Sequence, residues 1–198
     1  MQTDKARLEH DRLARISAEL GPRSIVLVGM MGAGKTTIGK RLAARLGIRF
    51  VDADGEIERA AAQTIPEIFA EHGEAYFRDG ERRVISRLLG EGPQVLATGG
   101  GAFMNADTRA AISDLGISVW LEADAELLLA RVRRRSNRPL LDTPDPEGTL
   151  RRLIAERYPI YALADVTVQS RDVAHDIMCD DMIAALIAHF DRQKETKP

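Results

Sequence analysis

The sequence predicts an α/β domain in which helices cover both faces of a parallel sheet. Short apolar runs of strand length alternate with segments of helical periodicity along most of the 198 residues. One alternation, over residues 24–47, places a glycine-rich loop between a strand and a helix. Another apolar run ends in three adjacent glycines, Gly99 to Gly101. Because ligands bind at the carboxyl ends of parallel strands, we expect the functional site where such loops follow the strands.

The bulk composition, with 44% hydrophobic and 29% charged residues, is typical of a soluble globular domain. The formal net charge of −2 argues against a surface devoted to nucleic acid. No apolar run approaches the ~20 residues that span a bilayer, and the charged N-terminal stretch does not look like a secretory signal. The single cysteine, Cys179, cannot form an internal disulfide. We therefore expect a cytoplasmic monomer without nucleic-acid or membrane partners.

The chain is expected to consist of an N-terminal extension helix (residues 1–22), a single domain (residues 23–192) and a polar tail (residues 193–198). A Gly-Pro pair ends the extension helix. A continuous apolar run then predicts the first strand over residues 24–29. Apolar residues at helical spacing predict the next helix over residues 36–47, with a glycine as its C-cap.

The middle of the domain is expected to begin with a strand over residues 49–54, the stretch RFVDAD. Thr64 and Glu67 form a capping-box pattern around a proline in the first turn, which opens a short helix that ends at Gly73. A second helical stretch follows directly and runs to Leu89.

The second half of the domain continues the alternation. A strand over residues 94–97 leads into the triple glycine, and helices over 106–115 and 124–134 flank a strand over 117–121. Residues 134–148 contain three prolines and no apolar period, so we expect them to form a lid. The remaining elements are a helix through residues 150–158, a strand over 165–168 and a last helix that ends near Phe190.

Residues 29–36, GMMGAGKT, match the pattern G-x-x-x-x-G-K-[ST] in the required strand–loop–helix context. The glycines allow consecutive N–H groups to surround phosphate oxygens, and the next helix adds its positive N-terminal end. Lys35 is expected to reach the β- and γ-phosphates, and the Thr36 hydroxyl to ligate Mg²⁺. The alternative is a glycine-rich turn that binds nothing. The predicted nucleotide contacts are Gly32, Ala33, Gly34, Lys35, Thr36 and Thr37.

Two aspartates, Asp52 and Asp54, follow the second predicted strand. In an extended chain alternate side chains share a face, so both carboxylates are expected to point the same way beside the phosphate loop. Two solvated turn aspartates are the alternative. The strand before the triple glycine carries no carboxylate, so the acidic Mg²⁺ ligand has to come from elsewhere. Asp52 is the best candidate for it.

Arginines form the remaining candidate groups. Arg78 and Glu81 are i,i+3 neighbours on a predicted helix, where a surface ion pair is the simpler interpretation. Five arginines of the predicted lid region and Arg157 on the following helix are commonly just a solvated face. The predicted fold, however, would place them over the phosphates, where guanidinium groups suit phosphate and carboxylate. No guanine-recognition signature is present, which argues against a GTPase.

The chain carries, in this order, GMMGAGKTTIG, FVDADGEIE, IFAEHGEAYFRDGE, ATGGGA, RPLL and ERYPIY followed by AD. The ordered set closely resembles the shikimate kinase family, from about Ser24 to about Phe190. The resemblance implies a P-loop kinase fold, a three-layer α/β/α arrangement with a five-stranded parallel sheet, a substrate-binding region and a lid. It also implies transfer of the γ-phosphoryl group of ATP to the 3-hydroxyl of shikimate in aromatic amino-acid biosynthesis, with Mg²⁺ as cofactor.

The resemblance also implies roles for individual residues. Asp54 binds the substrate hydroxyls, including the nucleophile, and together with Lys35 and Arg138 it forms the implied catalytic set. Arg78 and Arg157 clamp the substrate carboxylate. Further implied substrate contacts are Glu81, which holds the arginines, the backbone of Gly99, Gly100 and Gly101, and the apolar walls Phe69 and Phe77, for which core packing is the alternative.

The nucleotide side carries three further implied contacts. Arg138 in the lid reaches the transferred phosphate, and Arg131 stacks on the adenine. The loop over residues 169–176 covers the other face of the base near Ala174.

Two alternatives remain open on the sequence alone. A related kinase for gluconate or a nucleoside monophosphate shares the phosphate loop, but it should lack the combination of Asp52, Asp54, Arg78 and the triple glycine. A non-catalytic ATP-binding module on the same fold should have lost Lys35, Asp54 or a lid arginine, and all are present.

Overall fold

The structure is a computed structural model that describes residues 2–133 and 143–195. The strands are β1 (Ser24–Val28), β2 (Arg49–Asp52), β3 (Gln94–Ala97), β4 (Gly116–Glu122) and β5 (Val166–Gln169). The helices are α1 (Gln2–Leu20), α2 (Lys35–Leu46), α3 (Ala53–Ala61), α4 (Ile65–Leu89), α5 (Ala106–Leu115), α6 (Ala125–Arg133), α7 (Pro146–Tyr161) and α8 (His175–Glu195). A short 3₁₀ turn covers Ala102–Met104.

The five strands form one parallel sheet in the order β2-β3-β1-β4-β5. Leu27 pairs with Ala97 at the carboxyl ends of β1 and β3. The loops that follow these two strands, residues 29–34 and 98–101, therefore start side by side although they are far apart in sequence. The predicted α/β fold with a five-stranded parallel sheet is confirmed.

The core lies on both faces of the central strands. Every residue of β1 and β3 is buried, as is typical of parallel strands covered by helices on both sides. Helix α1 packs against α8 and α2, with Ile16 and Leu20 fully buried in the main core. Across residues 2–133 and 143–195, no helix combines the length and the apolar character that a membrane crossing requires.

The chain leaves the extended conformation earlier than expected after β2. The predicted strand over residues 49–54 is wrong at its end, because β2 stops at Asp52 and Ala53 begins α3. The reason is a local cap, since the Asp52 side chain accepts a hydrogen bond from the Asp54 N–H at 3.2 Å. Asp54 therefore lies in the first helical turn, and the alternation argument for the two carboxylates does not apply.

Two other helix boundaries test the sequence prediction in opposite ways. The break predicted at Gly73 is confirmed, because this residue has φ 78° and ψ 176° inside α4, a conformation open to glycine. The last helix was expected to end near Phe190, but α8 continues to Glu195. Arg15 of α1 pairs with Asp191, and Lys194 pairs with Glu19, so the polar end of α8 is held by α1.

The predicted lid, residues 134–148, is described only in part. Residues 134–142, and with them Arg138, lie outside the described residues. Helix α7 begins at Pro146, so the last three residues of the predicted loop are helical. Asp145 caps this helix by accepting a hydrogen bond from the Gly148 N–H at 2.9 Å.

Candidate active site

The phosphate-binding loop connects β1 to α2 through glycines that adopt positive φ. Gly29, Gly32 and Gly34 have φ values of 131°, 84° and 102°, which other residues rarely adopt. A Cβ atom at Gly29 would also lie 2.7 Å from the Leu121 carbonyl oxygen. Lys35 Nζ donates to the carbonyl oxygens of Gly29 at 2.7 Å and Met30 at 3.0 Å. The carbonyl oxygens of the loop therefore hold the ammonium group of Lys35 at the start of α2.

A cavity of about 430 Å³ opens above this loop, within the size range of ligand pockets. It brings together residues of the phosphate loop, the two aspartates, the glycines after β3 and the loop before α8. Its lining includes Gly32, Ala33, Gly34, Lys35, Thr36, Thr37, Asp52, Asp54, Gly99, Gly100, Arg131, Ser170 and His175.

Thr36 and Asp52 meet at the edge of this cavity. Thr36 Oγ1 lies 3.0 Å from Asp52 Oδ2. A hydroxyl and a carboxylate oxygen beside a phosphate loop are the hard oxygen donors that Mg²⁺ prefers, with phosphate and water completing its shell. Within the described residues no three histidine, cysteine or acidic side chains are grouped to hold a metal. The pair thus fits a magnesium ion that arrives with a nucleotide.

Asp54 lies next to this pair, in the first turn of α3. Burial raises the pKa of its carboxyl, and the negative charge of Asp52 raises it further. The positive charges of Lys35 and Arg78 act in the opposite direction and lower the pKa. A carboxylate whose pKa is raised is a better proton acceptor than an exposed aspartate, which suits a general base.

The glycines after β3 are approached closely by charged side chains. A Cβ atom at Gly99 would lie 2.8 Å from Glu81 Oε1 and 2.9 Å from Asp54 Oδ1. A Cβ atom at Gly101 would lie 2.5–2.6 Å from the guanidinium of Arg78. A methyl group at Gly99 or Gly101 would therefore displace these charged groups from their positions. The predicted approach of a substrate to the same backbone stays a prediction.

Arg78 and Glu81 form a partly buried ion pair on α4. Arg78 Nη1 donates to Glu81 Oε2 at 2.7 Å, and the same guanidinium also contacts Glu74. Glu81 is only 2% exposed, and burial raises the pKa of its carboxyl despite the nearby arginine. An exposed i,i+3 pair would not be buried in this way, so the surface interpretation does not fit Glu81.

Arg157 reaches the same loop from α7. Its side chain is 8% exposed, and Nη1 donates to the Gly100 carbonyl oxygen at 3.1 Å. Arg78 and Arg157 therefore flank neighbouring glycines, although 79 positions separate them in the sequence. The hydroxyl of Tyr161, one turn after Arg157, donates to the same Gly100 carbonyl.

Sequence reasoning missed Tyr161 and Ser170. Tyr161 lies four residues after Arg157, so a shared helix face was the available signal. Ser170 Oγ donates to the Ala33 carbonyl oxygen at 3.0 Å and ties the loop after β5 to the phosphate loop. Nothing in the sequence around Ser170 indicated this contact.

The predicted apolar walls lie in a small separate core. Phe77 is 5% exposed and packs with Ile57 and Ile68, and its ring lies 4.7 Å from that of Phe69. Neither ring is among the residues that line the cavity. The core-packing alternative accounts for both positions. The Arg78 guanidinium lies 5.0 Å from the Phe77 ring, so this small core also supports the arginine.

Arg131 lies at the cavity beside the predicted adenine region. Its Nη1 donates to Ser170 Oγ at 2.9 Å and contacts the carbonyl oxygens of the phosphate loop, and Nη2 donates to the Arg171 carbonyl oxygen. The guanidinium plane is thereby fixed. Ala174 itself is not among the lining residues, whereas its neighbours Val173 and His175 are.

The chain is similar in sequence and structure to known kinases. The family model of shikimate kinase matches residues 31–187. A shikimate kinase from Rhodopseudomonas palustris is 64% identical over 173 residues, which cover 87% of this chain and 85% of the relative. The solved shikimate kinase from Acinetobacter baumannii, in complex with shikimate, is 41% identical with a TM-score of 0.82, covering 87% of this chain and 97% of the other.

A gluconokinase from Sinorhizobium meliloti also superposes, with 17% identity, a TM-score of 0.57 and coverage of 89% and 98% of the two chains. At that identity the likeness shows the fold alone. The family model covers well over half of the sequence, and the matched region contains the phosphate loop from Met31 onward, the triple glycine, both aspartates and both arginines. The chain belongs to the shikimate kinase family.

Proposed function

We propose that this chain transfers the γ-phosphoryl group of ATP to the 3-hydroxyl of shikimate, which gives shikimate 3-phosphate and ADP in aromatic amino-acid biosynthesis. Its family is that of ATP-dependent kinases acting on shikimate. The observation that carries the proposal is the convergence of Arg78 and Arg157 on neighbouring glycines beside Asp54. Two guanidinium groups suit a carboxylate and one carboxyl base suits a hydroxyl nucleophile, so the set matches a small hydroxylated carboxylate.

The nucleotide half of the reaction is assigned to the phosphate loop. The backbone N–H groups of residues 32–37 and the start of α2 would hold the β- and γ-phosphates. Lys35 neutralises charge on the transferring group, and Arg138 is proposed to do so from the lid. Thr36 and Asp52 would hold Mg²⁺, which when bound supplies charge neutralisation and a fixed phosphate geometry. Arg131 and the backbone near Ala174 are proposed to enclose the adenine.

The acceptor half is assigned to the cluster around the triple glycine. Asp54 would accept a hydrogen bond from the 3-hydroxyl and take its proton late in the transfer. Phosphoryl transfer runs through a loose transition state, so orientation of the nucleophile matters more than its full deprotonation. Arg78 and Arg157 would bind the carboxylate, and Glu81 would hold Arg78 in place. Gly99, Gly100 and Gly101 would let the substrate approach the backbone.

The proposal is tested by an assay that couples ADP release to NADH oxidation, with shikimate, gluconate and CMP offered side by side. We expect turnover with shikimate and none above background with the other two. Turnover with gluconate or CMP at a comparable kcat/KM would contradict the substrate assignment. Omission of Mg²⁺ with excess chelator should abolish turnover, which tests the magnesium assignment separately.

We also propose that the enzyme acts as a cytoplasmic monomer. The single cysteine, Cys179, is fully buried in the core, which suits a reducing compartment. Size-exclusion chromatography with light scattering should give the mass of a single chain, 21.8 kDa.

A further inference from the structure

Tyr161 is the last residue of α7 and has no exposed surface. Its hydroxyl donates a hydrogen bond to the Gly100 carbonyl oxygen, the middle carbonyl of the triple glycine. Arg157 Nη1 donates to the same oxygen at 3.1 Å. A carbonyl oxygen has two lone pairs, so the two donors together can satisfy it fully.

The position of the Tyr161 ring is fixed on several sides. Its centroid lies 6.0 Å from that of Trp120 and 6.5 Å from that of Phe103. The hydroxyl lies 4.0 Å from Met30 Sδ, at the start of the phosphate loop. Burial raises the pKa of Tyr161 to about 12. The hydroxyl therefore stays protonated, and remains a donor, at any pH at which the enzyme is assayed.

Arg157 depends on this arrangement for its orientation. Its guanidinium is buried, and it contacts Tyr161 as well as Gly100, so the carbonyl and the hydroxyl together define where the planar fork lies. A fork that binds a carboxylate through two parallel hydrogen bonds tolerates little rotation. Without the Tyr161 hydroxyl, the Gly100 carbonyl would keep one donor and the guanidinium would lose one of its two supports.

We propose that Tyr161 is a positioning residue for the acceptor substrate, whose hydroxyl sets the Arg157 guanidinium through the shared Gly100 carbonyl. The inference rests on the proposed function, because it takes the carboxylate of shikimate as the group that Arg157 meets. Tyr161 itself does not touch the reacting atoms. Its loss therefore affects binding of the acceptor substrate more than the chemical step or the nucleotide.

The test is Tyr161→Phe, with Tyr158→Phe as the matched control. Tyr158 lies on the same helix, packs against Trp120 at 5.0 Å between centroids, and donates its hydroxyl to a different backbone carbonyl, that of Ala123. Both variants remove one hydrogen-bonded tyrosine hydroxyl from one aromatic cluster, that of Tyr161 being buried and that of Tyr158 partly buried. Only Tyr161→Phe removes a donor from the triple glycine.

We expect Tyr161→Phe to raise the KM for shikimate roughly tenfold, the loss expected for a disturbed charge-assisted hydrogen bond. The KM for ATP and kcat should stay within about threefold of the wild type, and Tyr158→Phe should leave all three constants within the same range. Calorimetric titration with shikimate should show the same loss of affinity for Tyr161→Phe. An unchanged KM for shikimate, or an equal rise in the KM for ATP, would overturn the proposal.

A second pair of variants keeps the test valid if Tyr161→Phe does not fold. With 4-fluorophenylalanine at position 161 the size of the side chain is kept and the donor is lost, whereas 4-aminophenylalanine keeps a donor. The proposal requires a raised KM for shikimate with the first and recovery with the second, and equal values for both would contradict it. A wild-type enzyme inactive on shikimate would instead refute the proposed function, so the two failures are distinguishable.

Discussion

The nucleotide side and the acceptor side of the cavity are built in different ways. The nucleotide side is built mainly on a contiguous loop whose shape is set by three glycines at positive φ and whose only long charged side chain is Lys35, with Asp52 and Arg131 beside it. The acceptor side is assembled from charged side chains on α3, α4 and α7 around the end of β3. Backbone groups therefore define one half of the site, and buried ionisable side chains define the other.

Burying ionisable side chains on the acceptor side costs free energy of folding. Burial raises the pKa of both Asp54 and Glu81, which means that the charged form of each is disfavoured in the folded protein. Glu81 Oε1 is buried and, within the described residues, has no hydrogen-bond partner. A buried acceptor without a donor costs about 1–3 kcal/mol. The acceptor side thus holds ionisable carboxyl groups at buried positions that disfavour their charged forms.

The largest effect is expected from Lys35→Ala on the nucleotide side. Loss of a cation that neutralises the transferring phosphoryl group should lower kcat by roughly 10³–10⁵-fold. The coupled ADP-release assay measures this, and circular dichroism checks the fold. Lys40→Ala, on the same helix, is the control and should leave kcat unchanged. Loss of less than tenfold in Lys35→Ala would contradict the role of the phosphate loop.

The next largest effect is expected from Asp54→Asn on the acceptor side. A positioned general base typically contributes about 10²–10⁴-fold to the rate. Because the Asp54 pKa is raised, the wild-type kcat/KM should fall with decreasing pH at a higher pH than an ordinary aspartate gives. Glu56→Gln serves as control, because Glu56 lies on the same helix but pairs with Arg59 and Arg87 and does not line the cavity. A loss below about tenfold would reduce Asp54 to a capping and packing residue.

Arg157→Lys is expected to give an intermediate effect that is confined to the acceptor. Lysine keeps the charge but cannot form the planar fork, so shikimate binding should weaken by ~1.5–3 kcal/mol, or about 10- to 150-fold in KM. ATP binding measured without shikimate should barely change. Arg152→Lys, on the exposed face of α7, is the control. A shikimate analogue that lacks the carboxylate should bind the wild type weakly, and Arg157→Lys should weaken its binding little further. If the losses from the variant and from the analogue were fully additive, Arg157 would not contact the carboxylate.

A smaller effect is expected from methyl groups added to the triple glycine. The new methyl of Gly101→Ala would collide with the Arg78 guanidinium, whereas that of Gly100→Ala would lie 3.3 Å from Arg157 Nη1. Gly101→Ala should raise the KM for shikimate roughly tenfold, the loss of one charge-assisted contact, and Gly100→Ala should raise it less. Gly55→Ala, where a methyl meets nothing within 4 Å, is the control. A larger rise in the KM for ATP than for shikimate would assign these glycines to the nucleotide.

The smallest expected effect is on stability, and it has the opposite sign to the effect on activity. An acid with a raised folded-state pKa destabilises the protein once pH exceeds its unfolded value, and the penalty is complete above the folded value. Asp54→Asn removes this penalty and should raise Tm at pH 8. At pH 4 the gain should vanish. A lower Tm at pH 8 would show that the amide loses more contacts than the charge costs.

The two halves of the site also differ in how far the sequence predicts them. The phosphate loop is local, so the spacing of Gly29, Gly34, Lys35 and Thr36 was enough to predict its strand–loop–helix structure. The acceptor side depends on contacts between distant segments. Arg78 and Glu81 alone indicated a surface pair, and only the family resemblance linked them to Arg157.

A local hydrogen bond and two long-range contacts explain the other differences between prediction and structure. The stretch after β2 has the alternation of a strand, but the Asp52 side chain caps the next turn and starts α3 instead. The triple glycine predicted close approach of a substrate, whereas the groups that the structure brings near it are side chains of α3, α4 and α7. Tyr161 belonged to a recognised motif, but its hydrogen-bond partner lies 61 positions away on Gly100.

The strand order also bears on how the enzyme acquires its activity during folding. Both neighbours of β1, β3 and β4, come from residues far along the chain, so the phosphate loop gains its walls only after slow, non-local pairing of parallel strands. Arg157 and Tyr161 arrive later still, on α7. When only the segment up to the phosphate loop has emerged from the ribosome, the nascent chain therefore has no pocket for ATP. Nucleotide binding and global stability should appear in the same refolding phase.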